Sequence, residues 1–480
     1  MLKKLIKNEI ILLSLIIIIS TTLMLIISFK DPHFVVDEET HIYALKSLDR
    51  NILLPMRPDP EGEVPFVTKP SFTIYLGYLF TKIFGYSIYS LRILMVFIGI
   101  LTIIACYIFA KKLYDKETAL LTVLLLSMST LFISNVSIYM TRVPLGLFLI
   151  LFSIYLLDYL DKEKPKYLYI SGLFFGLALG TDLFATLFLL PVLIIFFYTK
   201  KIEIKPFHIN KNILIAIIPI MIGLIIAFPQ VLNPVYLYQS LREQFGHALV
   251  LGNVSNPGSS FLGIPSGFMP VYYYFVGMLF KLQFLFPIFV LSFYALYKGN
   301  KYDKILLILM LIPFVSLSLL KVKMLRYIIF LLPFMFLAIA RTIMKYKNSW
   351  KKIMIFLLMA FFLFRAYELY DLYPNYELSG YYAGMSLSDI GEFRCQGYLE
   401  TNNYLSRLNG TIMSASYCKF NVNINYTEGD ISELNPDYIV TDIVYEAMPE
   451  NKHVITFIEN NCQRIETFKV KGPFYYIYYC

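Results

Sequence analysis

From residue 9 to about residue 370 the chain alternates apolar runs of span length with short polar segments. A helix needs roughly 20 mostly apolar residues to cross the bilayer core, and it satisfies every backbone group there without water. The pattern predicts about eleven spans, at 9–28, 88–110, 118–136, 143–160, 167–181, 183–198, 212–229, 269–297, 304–320, 327–344 and 352–370. Long polar intervals fall at 29–87 and 230–268. Past 370 the texture changes: Ile412–Tyr417, Asp437–Asp442 and Phe474–Tyr479 alternate as strands do, and Thr401–Leu408 reads as a short helix. The predicted architecture is an α-helical polytopic membrane protein over 1–370, followed by a small α/β domain over 371–480.

Composition agrees, since 58% of the 480 residues are hydrophobic and 16% charged, with a mean hydropathy of +0.63; no soluble domain of this length has that balance. The net charge of +9 would suit an anionic polymer if it were gathered on one face. It is scattered in short clusters between apolar runs, which excludes nucleic acid as the expected partner. Those clusters carry topological information instead, because positively charged loops stay in the cytoplasm. Lys3/Lys4/Lys7, Lys111/Lys112/Lys116, Lys162/Lys164/Lys166, Lys200/Lys201/Lys205/Lys211, Lys298/Lys301/Lys304 and Lys345/Lys347/Lys351/Lys352 all fall on one side of the parse. The N-terminus is therefore expected in the cytoplasm and the two long loops outside, in a multi-pass protein of the cell membrane. An odd number of spans puts the tail outside as well.

The first residues have the charge order of a signal peptide, yet the apolar run to Ile27 is too long and no small-residue cleavage site follows, so it reads as a retained anchor. Four N-x-S/T tripeptides, at Asn135, Asn253, Asn409 and Asn425, all lie in segments assigned outside. Cys395, Cys418, Cys462 and Cys480 lie in the tail, where they permit two disulfides in any of three pairings; the absence of a C-x₂-C pair weighs against zinc.

Candidate chemistry sits in the external segments. Asp37, Glu38 and Glu39 follow Val35-Val36 where the first span emerges. Carboxylates there are costly, which suits a general base or a metal ligand. The alternative is a helix start, with Asp37 as N-cap and Thr40 and His41 on the polar face. Lys69, followed by Pro70, is placed to hold a phosphate as a point charge or to snorkel to headgroups. Glu243 and His247 lie one helical turn apart, a spacing for a metal pair or an acid and its partner, and equally for a plain exposed face. Lys321, Lys323, Arg326 and Tyr327 break the positive-inside trend. Cations kept outside suit a lipid-linked phosphate, with a tight hairpin as the alternative.

In order and spacing these features resemble the GT-C membrane glycosyltransferases, in particular the protein O-mannosyltransferases and the lipid A aminoarabinose transferases. The resemblance covers roughly 1–345. It rests on Asp37-Glu38 with Tyr43-Ala44, on Lys69-Pro70, on the Glu243…His247 helix, and on Lys321…Arg326-Tyr327…Leu331-Leu332-Pro333. It implies inverting transfer of a sugar from a polyprenyl-phosphate carrier, dolichyl phosphate mannose being one such donor, to a protein or glycolipid acceptor outside the membrane. It implies Asp37 as general base, assisted by Glu38, and Lys69 and Arg326, with Lys321, around the leaving phosphate. Glu243, His247 and Tyr327 fall to the acceptor or to a metal. No cofactor is required; a divalent cation is admissible at Asp37, Glu38 and His247. The chain departs from the pattern at Thr141-Arg142-Val143-Pro144-Leu145, where many members carry an acid in the place of Arg142; this suggests a further phosphate ligand. His247 stands where several members have Arg.

Two other classes remain in view. A secondary transporter would place ionisable groups and broken helices near the midplane, often in two related halves; no convincing repeat is present. A non-catalytic scaffold binding glycans would not require Asp37 and Arg326 to share a cavity.

Overall fold

In the computed structural model, residues 9–30, 36–59, 62–65, 71–199, 202–203, 208–209, 214–249, 273–319, 325–370, 405, 407, 412–415, 424–426, 437–442, 452–468 and 475–480 are described. The chain divides into two compact units, one of residues 1–32, 37–252 and 270–367, the other of 33–36, 253–269 and 368–480.

The first unit is helical. It contains α1 (Glu9–Lys30), α2 (Val36–Ser47), the hairpin β1 (Met56–Asp59) and β2 (Gly62–Pro65), α3 (Phe72–Phe84), α4 (Ile88–Leu113), α5 (Lys116–Ser127), α6 (Thr130–Val136), α7 (Arg142–Lys162) and α8 (Pro165–Leu179). A 3-10 turn at Leu183–Phe188 opens α9 (Leu189–Tyr198), and the short pair β3 (Ile202–Glu203) and β4 (His208–Ile209) follows. Then come α10 (Ile217–Ala227), a 3-10 turn at Pro229–Leu232, α11 (Pro234–Leu249), α12 (Tyr273–Leu282), α13 (Phe286–Tyr297) and α14 (Lys301–Leu319). A last 3-10 turn, Leu325–Leu331, leads into α15 (Leu332–Tyr370).

Local chemistry sets many of these limits. Ser87 and Asp115 cap α4 and α5 by accepting from the amides of Ser90 and Thr118 at 3.0 and 2.8 Å. The turn between α7 and α8 uses left-handed Glu163 (φ 55°) and then Pro165 in the first position of α8. Asn300 and Asp303 each accept from the other's backbone amide, closing a reciprocal cap at the start of α14.

Among the described residues, five helices are long and apolar enough to cross a membrane, or six if the bent pair α5–α6 is one span. The expected eleven therefore need correction at particular places. The span at 118–136 is broken by 65° between α5 and α6. The break falls at Ser127-Met128-Ser129, where the Ser129 hydroxyl competes for backbone hydrogen bonds and caps α6. The stretch at 269–297 is α12 and α13 with a 3-10 turn, Gln283–Leu285, between them.

The separate spans at 327–344 and 352–370 are instead joined in α15, a continuous helix of 39 residues. Lysine is a good helix former, and no Gly or Pro follows Pro333 before Tyr370, so the polar Lys345–Lys352 stretch carries no helix stop. Opposite placement of the termini consequently does not follow from counting spans.

Among the described residues, lysines of several clusters come together around carboxylates. Glu9 of α1 accepts from Tyr107 and Lys111 at the end of α4. Asp158 near the end of α7 pairs with Lys112 and Lys162 at 2.6 and 2.5 Å. Asp303 of α14, 1% exposed, pairs with Arg341 of α15 at 3.0 Å. One end of the bundle is thus a collar of compensated charge.

Burial grades inward: the hydrophobic window of α1 is 22% buried, while those of α7 and of Tyr327–Tyr346 are 83% buried. Asn135, expected on the outside, is fully buried in α6 and donates to the Leu131 carbonyl at 3.0 Å, so it is not a glycan acceptor. Asn253 and Asn409 lie outside the described residues.

Helices α8 and α10 meet backbone to backbone. A Cβ added at Gly176 would stand 2.1 Å from the Ile220 carbonyl oxygen, and one at Gly223 2.4 Å from that of Leu173. At the end of the same stripe, a Cβ on Gly180 would stand 2.2 Å from the Ala227 Cβ. Small residues four apart are the sequence device for such close helix crossings.

In the second unit, five strands, β5 (Ile412–Ala415), β6 (Ile424–Tyr426), β7 (Tyr438–Asp442), β8 (Gln463–Phe468) and β9 (Tyr475–Tyr479), form a sheet in the order β6-β5-β7-β9-β8. The β5 strand runs parallel to β6 and β7, and β9 antiparallel to β7 and β8. Helix α16 (Lys452–Asn461) precedes β8. Gln463 pairs with Tyr479, which brings the flanking Cys462 and Cys480 together as a disulfide. Cys395, Cys418 and most of the helix expected at Thr401–Leu408 lie outside the described residues.

Candidate functional site

Away from the lysine collar, the starts of several elements are joined by buried polar contacts. Asp37 and Glu38 are the second and third residues of α2; Asp37 is not the expected N-cap but lies in the first turn, where the helix dipole favours carboxylates. One turn later, His41 is not on an exposed polar face. It is 2% exposed, its Nδ1 lies 3.3 Å from the Tyr139 carbonyl oxygen, and the two rings meet edge to face at 6.1 Å. Helix α2 lies against the 138–141 segment, and that burial, rather than the local polar pattern, decides where His41 goes.

Tyr139 in turn donates to the carbonyl oxygen of Thr73 at the start of α3. Its hydroxyl occupies the space where a Cβ on Gly77 would stand, which explains a glycine inside that helix.

The start of α3 is tied twice more. The Phe72 amide donates to the Gly180 carbonyl at 3.1 Å, beyond the end of α8. Ser71 donates to Gln230 Oε1 at 2.8 Å, and Gln230 Nε2 donates to the Leu53 carbonyl at 2.6 Å and to the Tyr75 hydroxyl at 2.7 Å. Ser71 is 0% and Gln230 4% exposed. One amide therefore fastens the folded first loop to the turn that leads into α11. Without it, the buried Ser71 hydroxyl would lose its partner.

The sequence shows Asp182 as a turn between apolar runs. In the structure its side chain is 4% exposed and forms an ion pair with Arg142, itself 11% exposed. It also accepts from the Thr141 hydroxyl and the Phe184 amide, each at 3.0 Å. Arg142 begins α7, where the helix dipole opposes a cation, and Asp182 offsets that penalty. The guanidinium carbon of Arg142 lies 4.5 Å from the centre of the Phe184 ring and 4.7 Å from that of Tyr327. Those two rings are 5.0 Å apart. The cation is thus held by one carboxylate and two aromatic faces.

Tyr327 and Arg326 are consecutive in the 3-10 turn Leu325–Leu331, and Glu243 and His247 are four apart on α11. Lys69 and Lys321 lie outside the described residues, as do the side chains of Asp37, Glu38, Glu243, His247 and Arg326. Among the described residues, no group of three or more His, Cys, Asp or Glu is arranged to hold a metal ion.

The structure joins Arg142 and Tyr327 directly, gives Asp182, read from the sequence as a turn, a buried ion pair, and adds Gln230 and Tyr139, which sequence reasoning passed over. Each of the three is a single polar residue at the edge of an apolar run. The available signal was a polar group at a costly position without a local partner, and its distant partner could not be read from the chain.

Residues 68–231 match the family model described as dolichyl-phosphate-mannose-protein mannosyltransferase. An uncharacterised protein of Aquifex aeolicus (strain VF5) is 33% identical over 145 residues, which is 30% of this chain and 28% of the relative's length. The structure superimposes on ArnT from Cupriavidus metallidurans, solved bound to undecaprenyl phosphate, with a TM-score of 0.62 and 12% identity over 97% of each chain. It also superimposes on the oligosaccharyltransferase AglB from Archaeoglobus fulgidus, solved with an inhibitory peptide and a dolichol-phosphate. That match has a TM-score of 0.52 and 11% identity over 97% of this chain and 74% of AglB. The resemblance read from the sequence holds, in the family model over one segment and in the fold over nearly the whole chain.

Proposed function

Because the chain has the fold of the GT-C membrane glycosyltransferases and carries the mannosyltransferase segment at 68–231, we propose that it transfers a sugar from a polyprenyl-phosphate carrier to a protein or glycolipid acceptor on the external face of the membrane. In this reading Asp37, with Glu38 beside it, removes the proton from an acceptor hydroxyl as its oxygen attacks the anomeric carbon. The bond to the phosphate oxygen breaks on the opposite face and configuration inverts. Phosphate leaves without protonation, so one carboxylate suffices, in contrast to the paired acids of glycoside hydrolases. Cations placed where negative charge grows lower the barrier most, and Lys69, Lys321 and Arg326 take that part. Glu243, His247 and Tyr327 border the acceptor side.

The observation that carries the reading is the chain of contacts at one end of the bundle. It runs from the Asp37 helix through His41, Tyr139 and Thr73 to Phe72 and Gly180, then through Asp182 and Arg142 to Tyr327, the neighbour of Arg326. A connected path between the two segments supports the enzyme reading over a glycan-binding scaffold, which would not require Asp37 and Arg326 to share a cavity. The Cys462–Cys480 disulfide suits an oxidising compartment, which supports an external tail.

The test is transfer of radiolabel from polyprenyl-phosphate hexoses to an envelope acceptor fraction in proteoliposomes, with the native chain and with Asp37→Asn. The variant keeps the shape of the side chain and cannot take the proton. Transfer by the native chain and its loss in an equally expressed variant supports both parts. Consumption of no donor sugar defeats the transferase, and an active variant defeats the base assignment.

A further inference from the structure

Arg142 invites assignment as one more phosphate ligand. Its surroundings argue otherwise. A guanidinium that binds a leaving phosphate must keep donors and charge available in the substrate state. Here the charge is offset by a carboxylate 4% exposed, and the rings of Phe184 and Tyr327, 5.0 Å apart, lie against the guanidinium together. Asp182 is itself fixed from both sides, through the Phe184 amide at the start of its 3-10 turn and through the Thr141 hydroxyl just before α7.

The pair does connect to the proposed chemistry through the chain. Tyr327 lies against Arg142 and, tilted by 56°, against Phe184, and Phe330 lies 6.3 Å from Phe184, so two residues of the turn Leu325–Leu331 rest on this cluster. That turn carries Arg326. A 3-10 segment, whose hydrogen bonds are poorer in geometry than those of an α-helix, leans on what it packs against. We propose that Asp182 is a positioning residue: by holding Arg142 it fixes the Leu325–Leu331 turn, and with it Arg326, for the polyprenyl phosphate. The inference rests on the transferase reading for its functional consequence, while the structural part stands apart from it.

The two assignments of Arg142 predict opposite signs. If Arg142 bound phosphate directly, Asp182→Asn would remove a nearby negative charge and tighten anion binding. If Asp182 positions the turn, the same change weakens it. The probe is undecaprenyl phosphate titrated into the full chain in nanodiscs, together with hydrogen–deuterium exchange. For Asp182→Asn we expect binding weakened about tenfold, and amides of 325–331 exchanging faster by an order of magnitude or more, with the collar ends of α4, α7 and α14 unchanged. Asn still accepts from the Phe184 amide, so the turn's own cap is kept, and Asp182→Glu restores both readouts.

Arg142→Lys, which keeps the charge but cannot spread over two rings, gives the same direction if the first variant does not accumulate. Unchanged exchange at 325–331 in these variants, or tighter binding in Asp182→Asn, overturns the proposal. Absence of polyprenyl-phosphate binding by the native chain, with 325–331 still loosened in the variants, defeats the transferase reading and leaves the positioning role in place.

Discussion

Adding one methyl group at Gly176 should reach the site although the residue itself touches none of the proposed chemistry. The new Cβ would stand 2.1 Å from the Ile220 carbonyl oxygen, against the 3.4 Å at which ordinary contact begins, a shortfall of about 1.3 Å. The opposing atom is backbone, with the Leu224 amide nitrogen at 2.8 Å and Gly223 Cα at 3.0 Å behind it, so no side chain can swing away. Helices α8 and α10 must separate. Overpacking of this kind costs about 1–3 kcal/mol.

The separation propagates because Asp182 lies just beyond α8 and Gln230 just beyond α10. A displacement of about 1 Å in a site can cost roughly a hundredfold in rate. Gly176→Ala should therefore lower the thermal unfolding midpoint in detergent and reduce transfer in proteoliposomes by one to two orders of magnitude. Gly172→Ala, whose Cβ would stand at 3.0 Å from the Ala216 carbonyl, is the graded control and should cost less. A Gly176→Ala protein with native midpoint and native transfer, or one more active than Gly172→Ala, would refute the reasoning.

Gln230→Ala takes the partner from the buried Ser71 hydroxyl, while the Tyr75 hydroxyl and the Leu53 carbonyl keep each other; at about 1–3 kcal/mol for a stranded buried group, it should lower the unfolding midpoint and raise the donor KM, read in the same two assays. Cys462→Ser opens an 18-residue closure and should lower the stability of the β5–β9 sheet by about 3 kcal/mol, seen as faster hydrogen exchange in β8 and β9, with exchange at 325–331 unaltered. In the first loop, Asp49 is held below the usual carboxylate range chiefly by its hydrogen bond from Lys82. Its stabilising effect is present above the ordinary carboxylate pKa and lost as pH falls through the lowered one, and both side chains are exposed. Lys82→Ala should consequently leave the unfolding midpoint unchanged at neutral pH, a result differential scanning fluorimetry can contradict.

Legibility from sequence followed the range of the interactions involved. Hydropathy found α1, α4, α7 and α14 within a few residues, because a bilayer-length apolar run dictates its own helix. Period-two patterning placed β5, β7 and β9, and missed β8, whose Gln463–Phe468 sequence mixes charge with apolar positions and relies on pairing with β9. The bend at Ser129 and the continuity of α15 escaped for opposite reasons. Hydropathy counts a serine pair as a small dip within a span, although its hydroxyls can break a helix, and counts a lysine run as a loop, although lysine sustains one. At the site, the acidic pair and the basic turn were legible as misplaced charges. Asp182, Gln230 and Tyr139 were not, since what distinguishes them is a partner 41, 159 or 66 positions away.

The limits of the matched family segment acquire a physical meaning on this structure. It begins at 68 and ends at 231, and Ser71 and Gln230, just inside those limits, are hydrogen-bonded to each other. The segment is therefore closed on itself. Its interior is fixed at Gly180, which accepts from Phe72 and abuts Ala227, and two residues later at Asp182, which grips the start of α7. Asp37 precedes this ring and Arg326 follows it, and each is attached by aromatic contact, through His41 on Tyr139 and through Tyr327 on Arg142. In such an arrangement the matched segment, which includes Lys69, serves as the frame, and Asp37 and Arg326 are borne by segments laid against it.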